Sequence, residues 1–441
     1  MPSSHSSLAL GLGIIGLEFA AAVTVFVSST LLPVIAADLH ARDRLGLLIA
    51  GSTLGMFVSM PLSGRAIRAF SATQVLGGGL VLSIGGTAMA SLADGPVVFA
   101  VGRAIAGFAS GLLAVFGLSA AIRHLSDDVR VRVIAATAAM WILPALVGPP
   151  ITLGLNAIVG WRWTLLLPLP FVVVGRVLVA RATRDDPGEQ DIRHTSWNAL
   201  LVPVGVGLMV VAADRPLAIV VGTVIALIGF AALVPRGTLR ARVGAPAGVA
   251  ALTLFGLGFF GADGLVTVLF TDGFGTDLRA AGLALSAAPL AWSLSTPLVP
   301  RLRTRGLLPS TALCLAVTGL CVLALAVAVA TGAPYPLVIL AWAVAGVGVG
   351  LAYPTLYLAA STPPEGTGAT ELAAAVITAE SFGALLGGSA GSTVLTLTGL
   401  GHAARVQGLT IAYAGFGVVV LLAAVLATRL APARPPTEQS A

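Results

Sequence analysis

The sequence predicts an all-helical polytopic membrane protein, and three observations carry that prediction. Of the 441 residues, 57% are hydrophobic and only 10% are charged, against about 25% charged in soluble domains. A chain this long with so few charges cannot cover its apolar surface in water, which excludes soluble enzymes, nucleic-acid binders and disordered scaffolds. The apolar residues run in long Ala, Val, Leu and Gly stretches rather than alternating, which argues for helices and against a barrel. A spanning helix takes about 20 residues, so fourteen of them use roughly 280. That leaves loops only, with no room for a soluble domain of normal size.

Apolar stretches bounded by charges give spans at 8–33, 45–63, 73–93, 96–122, 131–158, 163–180, 197–213, 217–234, 247–270, 281–300, 308–330, 335–360, 370–398 and 408–430. The first follows MPSSHSS, which carries no Arg, and runs through Glu18 to Pro33. It is too long for a signal-peptide core and is expected to stay as a span. The seventh and eighth are the shortest and are joined only by Asp214-Arg215-Pro216. A shallow hairpin there, instead of two full crossings, leaves the topology of the rest unchanged. The longest polar stretch, RATRDDPGEQDIRHTS at 181–196, reads as a cytoplasmic linker. The expected organisation is a six-helix bundle at 1–180, the linker 181–196, two additional helices at 197–234, a second six-helix bundle at 247–430 and a cytoplasmic tail at 431–441.

Charge placement orients these spans. The net charge is +6, and all 24 basic residues are Arg. A pI near 10.3 would suggest nucleic acid as a partner of a soluble protein, but here the positive-inside rule accounts for it. With the N-terminus inside, the inner loops and tail hold Arg65, Arg68, Arg123, Arg130, Arg132, Arg176, Arg181, Arg184, Arg193, Arg236, Arg240, Arg242, Arg301, Arg303, Arg305, Arg429 and Arg434. The outer loops hold Arg42, Arg44, Arg162, Arg215, Arg279 and Arg405, and Arg103 falls within a span. Seventeen against six predicts both termini in the cytoplasm.

The sequence offers no enzyme chemistry. His5, His40, His124, His194 and His402 lie in loops or tails without metal spacing, and Cys314 and Cys321 share one apolar run and read as buried thiols. No Gly-rich loop is followed by Lys, so there is no ATP-binding motif. No metal or cofactor is expected, and energy must come from a transmembrane gradient, of an ion or of the substrate itself. A faint repeat places MPLSGR at 60–65 opposite TPLVPR at 296–301, and GLLIAG from Gly46 opposite GLALSA from Gly282, both at an offset of 236. Parallel six-helix halves with a midplane site between them are the architecture of one large transporter class.

Several motifs now converge. The fifth span carries Pro144-Ala-Leu-Val-Gly148-Pro149-Pro150-Ile-Thr-Leu-Gly154, followed by Gly160-Trp161-Arg162-Trp163. The fourth opens Arg103-Ala-Ile-Ala-Gly107-Phe-Ala-Ser-Gly111, and the first ends Leu32-Pro33-Val-Ile-Ala-Ala-Asp38-Leu39. Over nearly the whole chain the pattern resembles the major facilitator superfamily, and six, two and six spans resemble its fourteen-span drug:proton antiporters. The fifth-span run is similar to that family's antiporter signature, with Pro144 where Gly usually begins it. In the loop after the second span, Pro61-Leu62-Ser63-Gly64-Arg65-Ala-Ile-Arg68, Gly64 stands where the family places a gating Asp. The first span also lacks the family's Asp-Thr-Thr pattern, which marks a divergent member. The resemblance implies a monomer, a gate loop around Arg65 and Arg68, a kinked fifth span that seals against leak, and a role for Arg103 in proton transfer. Any Pro kink in a bundle would explain the same fifth-span run without a specific function.

Charges within spans cost about 2.5–3.5 kcal/mol each on the insertion scale and are therefore the first functional candidates. Glu18 sits roughly ten residues into its span, about 15 Å deep, among Leu17, Phe19 and Ala20–Ala22. It suits a proton carrier; a structural ion pair or interhelical hydrogen bond is the other reading. Asp263 lies among Gly258, Gly261 and Gly264, which would permit a broken helix at a substrate site, or it is an outer-half acid hydrated by a vestibule. Glu380 is again about ten residues deep, and the repeat offset matches it to Pro144 (380 − 236 = 144). It can bind a cation or proton, or pack against a polar neighbour. Arg103 either serves proton transfer, as the resemblance implies, or snorkels to the outer interface. Phe26, Trp141, Trp292 and Tyr357 are candidates for an apolar substrate cavity, with Phe116 and Phe255 at similar depth.

The resulting expectation is a proton-coupled exporter of small lipophilic, drug-like compounds in the inner (plasma) membrane, with protons, membrane lipids and a small-molecule substrate as its partners and no nucleic acid. An uptake symporter or uniporter for a metabolite is the alternative. A non-transporting membrane sensor is more remote, because the chain has no soluble domain through which to signal.

Overall fold

A computed structural model describes residues 4–41, 45–183, 197–211, 215–276, 278–363, 368–398 and 401–430. The expected linker beyond residue 183 and the tail 431–441 lie outside the described residues, as do the side chains of Arg68, Pro149 and Pro150. The described residues form helices and connecting turns, with no strand among them. Among the described residues ten helices are long and apolar enough to cross a membrane, or eleven if one bent pair counts as a crossing. The chain divides into two compact units, one of Met1–Leu233 with Gly368–Thr378 and one of Val234–Thr367 with Ala379–Ala441.

The first unit holds α1 (Ser4–Asp38), α2 (Leu45–Ala69), α3 (Ala72–Ser91), α4 (Pro96–His124), α5 (Asp127–Ala139), α6 (Ile142–Thr164), α7 (Leu169–Ala182), α8 (Leu201–Val211) and α9 (Pro216–Leu233). Ser71 caps α3 with a reciprocal Ser71–Gln74 box, and Pro96 fits the start of α4, where its missing N–H has no helical partner to lose. Lipid provides no hydrophobic drive between helices, so small residues let them approach. A Cβ at Gly55 would collide with the Ala104 carbonyl and one at Gly107 with the Ser52 carbonyl, which makes α2 and α4 an intimate pair. Core clusters lie toward both ends of the unit: Leu10, Leu112, Phe116 and Val179 in one, and Val27, Leu31, Ile35, Phe99 and Trp161 in the other. Phe116, only 1% exposed, is thus core packing and not cavity lining. The short α8 and α9 pair closely, Gly205 against Gly222 and Gly229 against Leu201 and Val202.

The fifth span differs from its prediction. Within the run Asp127–Gly148, which as a whole is long and apolar enough to cross a membrane, α5 ends at Ala139 and α6 begins at Ile142, with Met140 and Trp141 in a turn between them. Pro144 supplies the reason, because it has no N–H to give the Met140 carbonyl four residues back. Further on, Gly160 takes φ 79° and ψ 165° inside α6, and the run Ile151–Thr164 then bends by 60° into α7. That backbone conformation is open to glycine at little cost.

The second unit begins with a helix whose segments follow one another from Ala245 to Gly273: α10 (Ala245–Phe255), a π-helical turn at Gly256–Phe260, α11 (Gly261–Val268) and a second π turn at Leu269–Gly273. The three glycines around Asp263 thus accompany a widened helix and not a broken one. There follow α12 (Leu278–Ser295), α13 (Val299–Thr304), α14 (Thr311–Thr331), α15 (Tyr335–Ala360), α16 (Ala369–Thr398), whose first turns belong to the other unit, and α17 (His402–Ala427). Backbone approach again sets the packing: a Cβ at Gly346 would strike the Ala288 carbonyl, and one at Gly383 the Thr253 carbonyl.

Candidate functional site

In the first unit the focus is Glu18, half-buried on α1. The indole Nε1 of Trp141 donates to Glu18 Oε1 at 2.9 Å. Trp141 reaches it from the gap between α5 and α6, so the break made by Pro144 is also what presents the indole. Phe26, two turns along α1, meets the Trp141 ring edge-on at 6.3 Å between centroids, and a Cβ at Gly148 would lie 3.2 Å from Phe26 Cβ. The fifth-span motif thereby closes directly on the α1 face that carries Glu18. Pro144 is buried there, whereas Gly154 faces open space.

Arg103 is half-buried on α4, where its Cβ lies 3.1 Å from a Cβ built on Gly51 of α2. It forms no ion pair with Glu18, which leaves Trp141 as the described partner of that carboxylate. Arg65 is half-buried near the end of α2. The Trp-Arg element has a partner the sequence left unassigned: Asp38, at the end of α1. Arg162 Nη1 lies 2.6 Å from Asp38 Oδ2, Trp161 Nε1 donates to the same oxygen at 3.0 Å, and Arg162 Nη2 donates to the Ala93 carbonyl at 3.1 Å. Ser91 closes the knot by donating to the Arg162 carbonyl at 2.5 Å. The guanidinium, with the indole beside it, holds the Asp38 carboxyl below the usual carboxylate range. The network staples α1, α6 and the α3–α4 turn at one end of the unit.

In the second unit Glu380 is the centre. The Tyr353 hydroxyl lies 2.9 Å from Oε1 and 3.1 Å from Oε2, donating its one proton to the carboxylate. Tyr353 stands 5.1 Å from Trp292, 5.3 Å from Tyr357 and 6.0 Å from Phe255 between ring centroids. Phe255 and Phe259 stack at 5.5 Å, and Phe259 stacks on Trp342 at 5.1 Å. The carboxylate thus borders a continuous aromatic wall, in which the Trp292 indole N–H is buried without an acceptor among the described residues. The π turn at Gly256–Phe260 lies between Phe255 and Asp263, and one extra residue per turn re-aims the rings on either side of it. Asp263 is half-buried, and its Oδ1 is shielded from solvent and has no hydrogen-bond partner among the described residues. The nearby Tyr413 hydroxyl donates to the Ala262 carbonyl at 2.9 Å and not to this acid.

The predicted residues therefore fall into two sets: Glu18, Trp141, Phe26, Gly148 and Pro144 in one unit, and Glu380, Trp292 and Tyr357 in the other. Arg103 and Asp263 join neither set through a described hydrogen bond. Sequence reasoning missed Tyr353, whose signal was a phenol four residues before Tyr357 in an otherwise apolar run. Among the described residues no three of His, Cys, Asp and Glu gather as metal ligands do.

Comparisons with known proteins agree with this architecture. The family model described as the Major Facilitator Superfamily matches residues 14–388. The multidrug efflux pump SdrM of Staphylococcus aureus (strain N315) is 24% identical over 170 residues, covering 38% of this chain and 38% of that protein. A triacylglyceride transporter of Mycolicibacterium smegmatis is 28% identical over 175 residues, covering 38% of this chain and 30% of that protein. The chain thus spans about a third of the length of these relatives. A bacterial homologue of the iron transporter ferroportin, in an outward-facing state, superposes with a TM-score of 0.70 at 16% identity, over 96% of this chain and 99% of that one. The proton:xylose symporter XylE superposes with a TM-score of 0.65 at 16% identity, over 98% and 97%. At such identity these structures establish the fold alone. The chain has a multi-span helical fold and belongs to the Major Facilitator Superfamily of membrane transporters.

Proposed function

We propose that this chain is a proton-coupled antiporter that exports small lipophilic, drug-like compounds by alternating access, with the transmembrane proton gradient as its energy source. The observation that carries the reading is the Glu18–Trp141 pair. A carboxylate about 15 Å inside a span is held by one donor, and that donor stands at a helix break, where a small backbone movement can withdraw it. Protonation of Glu18 removes the buried charge and releases substrate outward; proton loss to the cytoplasm restores the substrate-binding state. Asp263, with an orphaned oxygen, and Glu380 are further proton sites, and Arg103 assists transfer as in the family.

Other features support the finer points. The rings of Trp292, Tyr353 and Tyr357 beside Glu380, with Phe255 packed behind them, favour apolar, aromatic compounds, with room for a cationic group at the carboxylate. Export over import rests on the Pro144–Gly154 motif and on the 24% identity to a multidrug efflux pump. The arginine asymmetry supports a protein of about fourteen spans with both termini in the cytoplasm, arranged as six, two and six helices and acting as a monomer in the plasma membrane.

The test is proton release on substrate binding. Purified protein in weakly buffered detergent, with a pH-sensitive dye, is expected to release protons on addition of lipophilic cations or neutral drugs. Glu18→Gln is expected to fold normally, since its amide oxygen can still accept from Trp141, and to lose the release. Undiminished release from a correctly folded Glu18→Gln takes Glu18 out of the mechanism.

A further inference from the structure

Arg176, on α7, is only 2% exposed, and its Nε and Nη1 are buried without a hydrogen-bond acceptor among the described residues. The guanidinium lies over Gly79 of α3, where a Cβ would sit 3.2 Å from Nη1, beside Leu113 of α4. Not one acidic residue occurs in α3, α4 or α7. Glu18 of the neighbouring α1 is committed to Trp141. The charge therefore has no counter-ion within the helices that enclose it, and a buried, unpaired cation is not a stable end state.

Depth identifies what can supply the missing charge. Arg176 is six residues from the end of α7 and Gly79 seven from the start of α3, so both lie about 10 Å below the same end of the unit. An arginine stem reaches several ångströms further toward the interface. On the outer faces of these two helices, Gly77, Gly78, Val81, Val174 and Val177 are exposed and present an apolar surface suited to acyl chains. Arg181 is exposed at the same end of α7. Basic pockets between spanning helices at headgroup level are sites for anionic lipid headgroups.

We propose that Arg176 binds the phosphate of an anionic membrane lipid, whose headgroup enters the crevice between α3 and α7 over Gly79. The site lies within one unit and does not depend on proton coupling or on which substrate is exported.

The test follows the thermal unfolding midpoint of the full chain in neutral-detergent micelles doped with phosphatidylglycerol, phosphatidylcholine or inorganic phosphate. Phosphatidylglycerol is expected to raise the midpoint by about 3 °C over phosphatidylcholine, by preferential binding to the folded state. Arg176→Met is expected to abolish that difference without lowering the midpoint in phosphatidylcholine, while Arg181→Gln keeps it. Gly79→Leu, which fills the crevice and leaves the charge in place, is expected to abolish it too and serves if Arg176→Met fails to fold. An undiminished phosphatidylglycerol response in Arg176→Met or Gly79→Leu overturns the proposal. An equal response to inorganic phosphate assigns the site to the free anion and overturns the lipid as its occupant.

Discussion

Glu18 and Glu380 each rest against an aromatic donor, an indole in one unit and a phenol in the other. Hydrogen bonds to charged groups contribute about 1.5–3 kcal/mol. Trp141→Phe, which keeps the ring against Phe26 and deletes the N–H, is therefore expected to lower unfolding free energy by about 2 kcal/mol and to blunt substrate-induced proton release. Thermal unfolding and the dye assay measure the two effects separately. Asp38 makes a pH prediction. Its carboxyl is held low by Arg162, so the stabilisation it gives is present above the unfolded-state value of about 3.9 and is lost as pH falls through the lower folded-state value. Unfolding midpoints of the wild type and Asp38→Asn are expected to differ at pH 7 and to converge as pH falls below the folded-state value. Both partners are more than one-third exposed, so the difference at pH 7 is at most about 1 kcal/mol. Neither network was legible in the sequence. Glu18 and Trp141 are 123 residues apart and Asp38 and Arg162 are 124 apart, and only the packing of separate helices brings them into register.

The helices themselves were largely legible. The twelfth span was predicted at 335–360, and α15 is Tyr335–Ala360; the eleventh was predicted at 308–330, and α14 is Thr311–Thr331. Each is a uniform apolar run closed by Gly, Pro or Ser, and lipid tolerates no other conformation for such a run. The sequence was ambiguous where glycine and proline sit inside a run, because the same residues serve a kink, a break or a π turn. Pro144 produced a break, whereas Pro289 and Pro354 lie inside α12 and α15. Close approach makes a sharper prediction. At Gly55 a Cβ would run into the Ala104 carbonyl, which is backbone and cannot move aside, while at Gly77 it would meet nothing within 4 Å. Gly55→Ala is expected to destabilise by about 3 kcal/mol and Gly77→Ala to be neutral or slightly stabilising, as read from thermal unfolding of the two purified variants.

At the scale of the molecule, composition alone identified a helical membrane protein, and the motifs identified its family, because both signals are written along the chain. The substrate is not written there: the aromatic wall at Glu380 draws on α10, α12 and α15, and Tyr353 enters it from a position that periodicity does not single out. What unites the two carboxylate sites is the proposed exchange of protons for substrate. The most direct measurement is proton flux in proteoliposomes containing purified protein and an internal pH-sensitive dye, challenged with lipophilic cations and neutral drugs under an imposed proton gradient. Substrate-dependent proton movement opposite to the substrate is expected, abolished by Glu18→Gln at equal reconstitution. Proton movement in the same direction as the substrate, or counterflow undiminished in Glu18→Gln, would contradict it.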